Sequence, residues 1–195
     1  MLGMQPKVSK KLVFCFLLLI LCSPASIAMA QTFSVCHGYG CYFKTNVTLT
    51  GTNRSRIASI MASGRKSPEG ERAAVRRAVQ VFEQRNTQVI GVVDRPKMDF
   101  GKGRERGQMD CVDESTNTDH FLRYLQGAGL LQFHTVARRD SRGSFFDGRY
   151  PHFTAVLKDR SGTLWAVDSW YEPGGGAPDV MTLAEWKSRG YGGVR

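Results

Sequence analysis

Cys111, His152 and Asp168 are the residues of this sequence whose types and order suit a reaction, and that reaction is thiol acyl transfer. A thiolate attacks a carbonyl, an imidazole takes the thiol proton and later returns it to the leaving amine, and a carboxylate orients the imidazole. From Cys111, residues Ser115, Thr118, Leu122 and Leu125 follow at steps of three and four, so the thiol belongs to the interior stripe of a helix that it begins. Unpaired backbone N–H groups at a helix start lower a thiol's pKa. Asp110, Asp113 and Glu114 pull the other way, so a cationic partner, most naturally a histidine, is needed to hold a thiolate. The Cys111 backbone N–H is a candidate oxyanion donor, with the Gln108 side chain a weaker second.

The partners must come from strands. The segments 151–158 and 163–170 flank Asp159-Arg-Ser-Gly162, a hairpin signal. His152, Thr154 and Val156 share one face of the first strand, and Leu164, Ala166, Asp168 and Trp170 share one face of the second. An odd number of residues between paired positions, as in a three-residue loop with Gly162 left-handed, sets His152 opposite Asp168; an even number separates them. The other histidines fit less well. His120 lies about half a turn around the helix from Cys111, His134 has no acidic partner in an obvious register, and His37 sits beside Cys36. A metal site built from Cys111, His152 and Asp168 lacks a fourth ligand, and no metal or cofactor is expected.

The start of the chain reads as an export signal. Lys7, Lys10 and Lys11, the apolar run 12–21, Pro24 and Ala28-Met29-Ala30 form the pattern of a secretory signal peptide (residues 1–30) cleaved after Ala30. The run is about half the roughly 20 apolar residues of a spanning helix, so no transmembrane segment is expected after leader removal. Lipid attachment at Cys22 ranks below this, because Leu21 stands where a small residue belongs. The expected location is periplasmic or secreted, with residues 31–195 forming one domain. Without the three leader lysines, 24 basic residues face 17 acidic ones, a net of +7. They are spread along the chain to Arg195, most of them from Arg54 onward, and form no aromatic-interleaved basic patch, which argues for a solvated basic surface and no nucleic-acid partner.

Three cysteines remain in the mature chain. Cys36-His-Gly-Tyr-Gly-Cys41 closes a small loop as a disulfide in an oxidising compartment, and Cys111 is left unpaired. Zinc on Cys36, Cys41 and His37 is the lesser reading, since this spacing matches no common ligand set. Alternation from Cys41 to Leu49 predicts a strand. A short helix over 53–63 follows, then a longer one capped by Ser67 with Pro68 at its first position. Residues 94–107 read as a loop that borders a substrate groove. The Cys111 helix is expected to stop near Gln126 at Gly127, followed by a strand over Leu131–Ala137, a polar connection over 138–150, and a short helix capped by Thr182 that carries Trp186.

Asp110-Cys111 with Asp113, then His152 followed by Ala155-Val156, then Ala166-Val167-Asp168 resemble the transglutaminase-like cysteine peptidases of bacteria, a branch of the papain-like group. The likeness covers 107–186. Phe153-Thr154 lengthen the spacing after the histidine, and Glu114-Ser115 replace an aromatic and a small residue. The resemblance implies an α+β fold, with a Cys-bearing helix packed on an antiparallel sheet, and a Cys-His-Asp triad in this order. The stretches around Cys36 and Cys111 also look like those of small exported proteobacterial proteins. An exported thiol enzyme that cleaves or transfers amide bonds of a peptide, protein or cell-wall peptide is the leading expectation. The alternative is a non-catalytic envelope or binding protein that presents Trp165, Trp170 and Tyr171 to a partner.

Overall fold

The computed structural model describes residues 30–95, 103–144, 146 and 151–189. The expected leader and the middle of the 94–107 loop lie outside the described residues. Among the described residues the fold is mixed α+β with four helices and antiparallel sheets. The elements are β1 (Gln31–His37), β2 (Phe43–Leu49), α1 (Gly51–Ser63), α2 (Pro68–Ile90), α3 (Cys111–Gly127), β3 (His134–Val136), β4 (Asp140–Arg142), β5 (His152–Asp159), β6 (Leu164–Asp168), β7 (Asp179–Thr182) and α4 (Leu183–Ser188). Among the described residues no helix is long and apolar enough to cross a membrane.

The helix ends follow local chemistry. Thr50 caps α1 through a reciprocal pair of bonds with Asn53, so α1 begins two residues before the expected Asn53. The Ser67 hydroxyl accepts the Gly70 N–H of α2 at 3.0 Å, Pro68 takes the first position, and Gly91 ends the helix at φ 78°. A Cβ on Gly64 would stand 2.5 Å from the Gly70 carbonyl oxygen, so only glycine lets the chain turn this tightly from α1 into α2. Helix α3 runs one residue past the expected stop. Gly127 is still helical, and Gly129, at φ 67°, supplies the left-handed turn that brings the Leu130 N–H to the Leu125 carbonyl.

The larger sheet has the order β3-β5-β6-β7, with β4 also paired to β5. Its centre is the expected hairpin. Asp159 and Thr163 close a loop in which Gly162 adopts φ 93°, the three-residue arrangement that keeps the facing parity odd. Sheet faces are therefore as anticipated, but the register is displaced by two. Asp168 aligns with Thr154 by extension of the Ala155–Val167 pairing, and His152 lies diagonal to it. Three strands had no sequence forecast: β1, β7, and β4, which lies in the supposed polar connection. Strand β3 is shorter than the expected 131–137 and opposite in phase, with His134 buried and Thr135 exposed.

Two apolar clusters sit on opposite faces of the sheet. The main core joins Val75, Val79 and Phe82 of α2 and Phe121, Leu122 and Leu125 of α3 to Ala155, Leu157 and Val167. A smaller one, Val156, Ala166, Met181, Leu183 and Trp186, lies beneath α4. His152 and Asp168 have the parity of the second face, whereas the body of α3 covers the first. The Cys111 sulfur, in the first turn of α3, meets the backbone at the start of β5.

Candidate functional site

The start of α3 is locked before any chemistry is considered. The Asp110 carboxylate accepts the N–H groups of Val112 (3.1 Å) and Asp113 (2.9 Å), and the Asp113 carboxylate reaches back to the Asp110 N–H. The same two carboxylates hold the tip of the β1–β2 hairpin. Asp113 accepts from Tyr39 (2.8 Å) and Cys41 (2.5 Å), and Asp110 from Gly40 (3.1 Å). The tip is closed by the expected Cys36–Cys41 disulfide. Tyr39 and Cys41 sit at positive φ, 69° and 59°, a conformation the ring closure and these bonds sustain. His37 spends both ring nitrogens here, Nε2 with the Thr45 hydroxyl (2.9 Å) and Nδ1 accepting the Gly107 N–H (3.2 Å). Burial, then Arg106, keep its pKa low. The sulfurs of Cys36 and Cys41 lie within 4.8 Å of an Asp113 oxygen, a spacing that suits a metal, but the sulfurs are bonded to each other and the oxygens to N–H groups.

His152 and Asp168 are joined directly, Nε2 to Oδ2 at 2.6 Å. The diagonal offset is what the longer reach of the imidazole spans. Asp168 Oδ2 also accepts the Trp186 indole N–H at 2.7 Å, and Oδ1 the Trp170 backbone N–H at 3.2 Å. The imidazole is enclosed by Trp170, Trp186 and Tyr171, with ring centroids 4.6, 5.4 and 5.5 Å away. Arg142 stacks on Trp186 and bonds its carbonyl and the Tyr171 hydroxyl, tying that aromatic wall together. Burial, helped by Asp168, pushes the Tyr171 phenol up to about 12. His152 Nδ1 is buried and has no hydrogen-bond partner. Trp186 and Arg142 escaped the sequence reading, because an indole N–H 18 residues from its acceptor leaves no periodic trace.

Cys111 is 2 % exposed and is unpaired among the described residues. Its sulfur lies against the backbone on both sides of His152, 3.8 Å from the Pro151 carbonyl oxygen and facing the Phe153 N–H. No hydrogen bond links it to Nδ1, so the first bond of a triad is not made. Burial pushes the thiol up to about 12, and Asp110 and Asp168 add to this; the N–H groups of Phe153 and Cys111 oppose it. The sulfur is a thiol here, not a thiolate. Gln108, the weaker oxyanion candidate, spends its carboxamide on the Val93 carbonyl (3.3 Å) and the Arg95 N–H (3.2 Å). The Cys111 N–H stands at the first helical position, where no intrahelical acceptor exists.

A group of buried acids gathers from α2, α3 and Asp94. Burial, then Asp94, raise Glu83 to about 8; burial raises Asp94 and Asp113 to about 7 and Glu114 well above the carboxylate range. Glu83 Oε1, Glu114 Oε2 and both Asn86 amide atoms make no hydrogen bond of good geometry, although Asn86 is near enough to Glu83 to moderate its shift. His134, expected to lack an acidic partner, has one in Glu71, Nδ1 to Oε1 at 2.8 Å. Glu71 also gathers the N–H groups of Gln132, Phe133 and His134. Burial opposes its ionisation, yet these donors together hold its pKa low. This capture reverses the phase of β3. The aromatic patch of the alternative reading divides: Trp165 lies on the other sheet face, stacked under Arg72 at 3.6 Å, with its N–H on Asp159. Comparison with family models, curated proteins and solved structures returned no match.

Proposed function

We propose that the protein is a thiol enzyme of the transglutaminase-like kind, which hydrolyses an amide or passes its acyl group to an amine. The observation that carries this reading is the buried His152–Asp168 pair, whose remaining nitrogen, Nδ1, is unpartnered, with the unpaired thiol at the start of α3 lying against the backbone on either side of the same histidine. A buried imidazole nitrogen without a partner costs stability, and catalysis gives it a purpose. Asp168 holds the proton on Nε2, so Nδ1 is the basic nitrogen. It takes the Cys111 proton as the sulfur attacks the carbonyl carbon, then delivers that proton to the leaving nitrogen. With the thiol neutral at rest, His152 works as a general base instead of sharing a standing ion pair. The Cys111 N–H meets the developing oxyanion. The sulfur must turn from the Pro151 carbonyl as substrate enters. A peptide, protein or cell-wall peptide fits the reaction, and the disulfide fits an oxidising, extracytoplasmic location.

A second reading, an exported binding or envelope protein with an inert thiol, is favoured by the sulfur's burial. Alkylation with iodoacetamide across pH separates the two. Under the enzyme reading Nδ1 takes the thiol proton as the sulfur attacks the reagent, so Cys111 reacts well below pH ~8.5, the midpoint of a free thiol, although it is neutral at rest, and His152→Ala abolishes that early reaction. A native thiol that reacts only on denaturation, identically in both proteins, ends the enzyme reading.

A further inference from the structure

A cleft of about 420 Å³ adjoins the thiol centre. Ala137 and Phe153 line it, Arg138 and Arg139 contribute from the turn between β3 and β4, and Asp119 and Arg123 from α3. Phe153 also presents its backbone N–H to the Cys111 sulfur, so one residue borders both places. Arg123 is paired with Asp119 through two bonds, 2.8 and 3.1 Å. Arg138 and Arg139 have no hydrogen-bonded carboxylate among the described residues; the nearby Asp140 is paired with Lys187 at 2.8 Å and also feels the charge of Arg138, so Arg139 is the cation left for a ligand. Arg139 is fixed by neutral groups, its Nη1 donating to the Ser115 hydroxyl (3.2 Å) and the Thr116 hydroxyl (2.6 Å). Ser115 lies one helical turn, about 6 Å of rise, beyond Cys111.

We propose that this cleft is an anion subsite of the thiol centre, which receives a carboxylate carried by the substrate close to the reacting carbonyl. The proposal rests on the thiol-enzyme reading and names its substrate class: peptides with an acidic residue beside the amide. A guanidinium already fixed by hydroxyls keeps its remaining N–H groups free, and a carboxylate accepts two such groups side by side at little further ordering cost. The apolar surfaces of Ala137 and Phe153 accommodate the carbon stem of an acidic side chain. The excess of positive charge on the chain assists the approach of such a substrate.

Two alkylating agents of nearly equal size test this. Iodoacetate and iodoacetamide both lose iodide to the same thiolate, so their rate ratio cancels the thiol's acidity. A free thiolate disfavours the anionic reagent by charge repulsion. At Cys111 iodoacetate is expected to be the faster, and Arg139→Gln to lower the iodoacetate-to-iodoacetamide ratio about tenfold, with 0.5 M salt lowering it partway. A ratio below one that Arg139→Gln leaves unchanged overturns the subsite and leaves the thiol-enzyme reading standing. If neither reagent modifies the native protein, the thiol reading has failed, and amide chemical shifts then decide on the subsite. N-acetylglutamate α-amide should move the signals of Ser115, Thr116 and Phe153, while neutral N-acetylglutamine α-amide should not. Equal shifts from both, or none from either, overturn the subsite. N-acetylglutamine free acid, with only a terminal carboxylate, tells a chain end from a side chain.

Discussion

Replacing Trp186 with phenylalanine should destabilise the protein by about 2–4 kcal/mol, in two parts. The first is the bond from the indole N–H to Asp168, 2.7 Å long between groups 0 % and 2 % exposed; hydrogen bonds to charged groups contribute about 1.5–3 kcal/mol. The second is the space left among Val156, Ala166, Met181 and Leu183, which costs on the order of 1 kcal/mol. The sum does not reach the upper end of the roughly 3–5 kcal/mol of stranding a buried charge, because Asp168 keeps His152 and the Trp170 N–H. Trp165→Phe is the control. It makes the same chemical change, but Trp165 and the Asp159 carboxylate its N–H bonds are both only half-buried, so its loss should be much the smaller. Urea unfolding followed by far-UV circular dichroism measures both, with the slope checked for constancy. A Trp186→Phe loss under about 0.5 kcal/mol, or no larger than that of Trp165→Phe, would refute the claim that the indole restrains Asp168.

Two other outcomes follow from the buried carboxylates. Glu71→Gln should cost about 2–4 kcal/mol in the same assay, because an amide NH2 would replace an oxygen that accepts backbone N–H groups; a loss below about 1 kcal/mol contradicts the assigned geometry. Stability should also fall as pH rises from 5 to 8. Glu83, Asp94, Asp113 and Glu114 have pKa values raised by folding, so the native state binds more protons than the unfolded chain, and that advantage disappears as pH passes through their folded values. His37, with its pKa lowered, works the other way below about 6.5, one imidazole against four carboxyls. Glu83→Gln removes one of the four and should flatten the decline, making the variant the more stable protein at pH 8. A wild-type profile that rises over this range would show that the acids are not buried together.

The local grammar of the chain was legible where one or two residues settle the matter. Ser67-Pro68 fixed the start of α2, the turn 159–162 fixed a parity that places His152 and Asp168 on one face, and the stripe from Cys111 to Leu125 fixed which side of α3 is buried. The failures lie where a distant side chain overrides the pattern. The alternation over 131–137 pointed Phe133 inward, but Glu71, on α2, captured the N–H groups of 132–134 and turned His134 inward instead. Strand β4 was hidden in a polar segment because its pairing with β5, not its apolar content, makes it a strand.

Sequence by itself determined the inventory of this site: a cysteine at a helix start outside the disulfide, a histidine and an aspartate on neighbouring strands, and a six-residue loop that two cysteines close. Those follow from spacing, handedness and turn length, which act over a few residues. Tertiary structure alone decided that Trp186 grips Asp168, that Asp110 and Asp113 hold the disulfide loop against α3, and that the Cys111 sulfur rests as a neutral thiol. Proton affinity depends on how much water the fold leaves around a group and which charges it brings near, and both are sums over the packed chain.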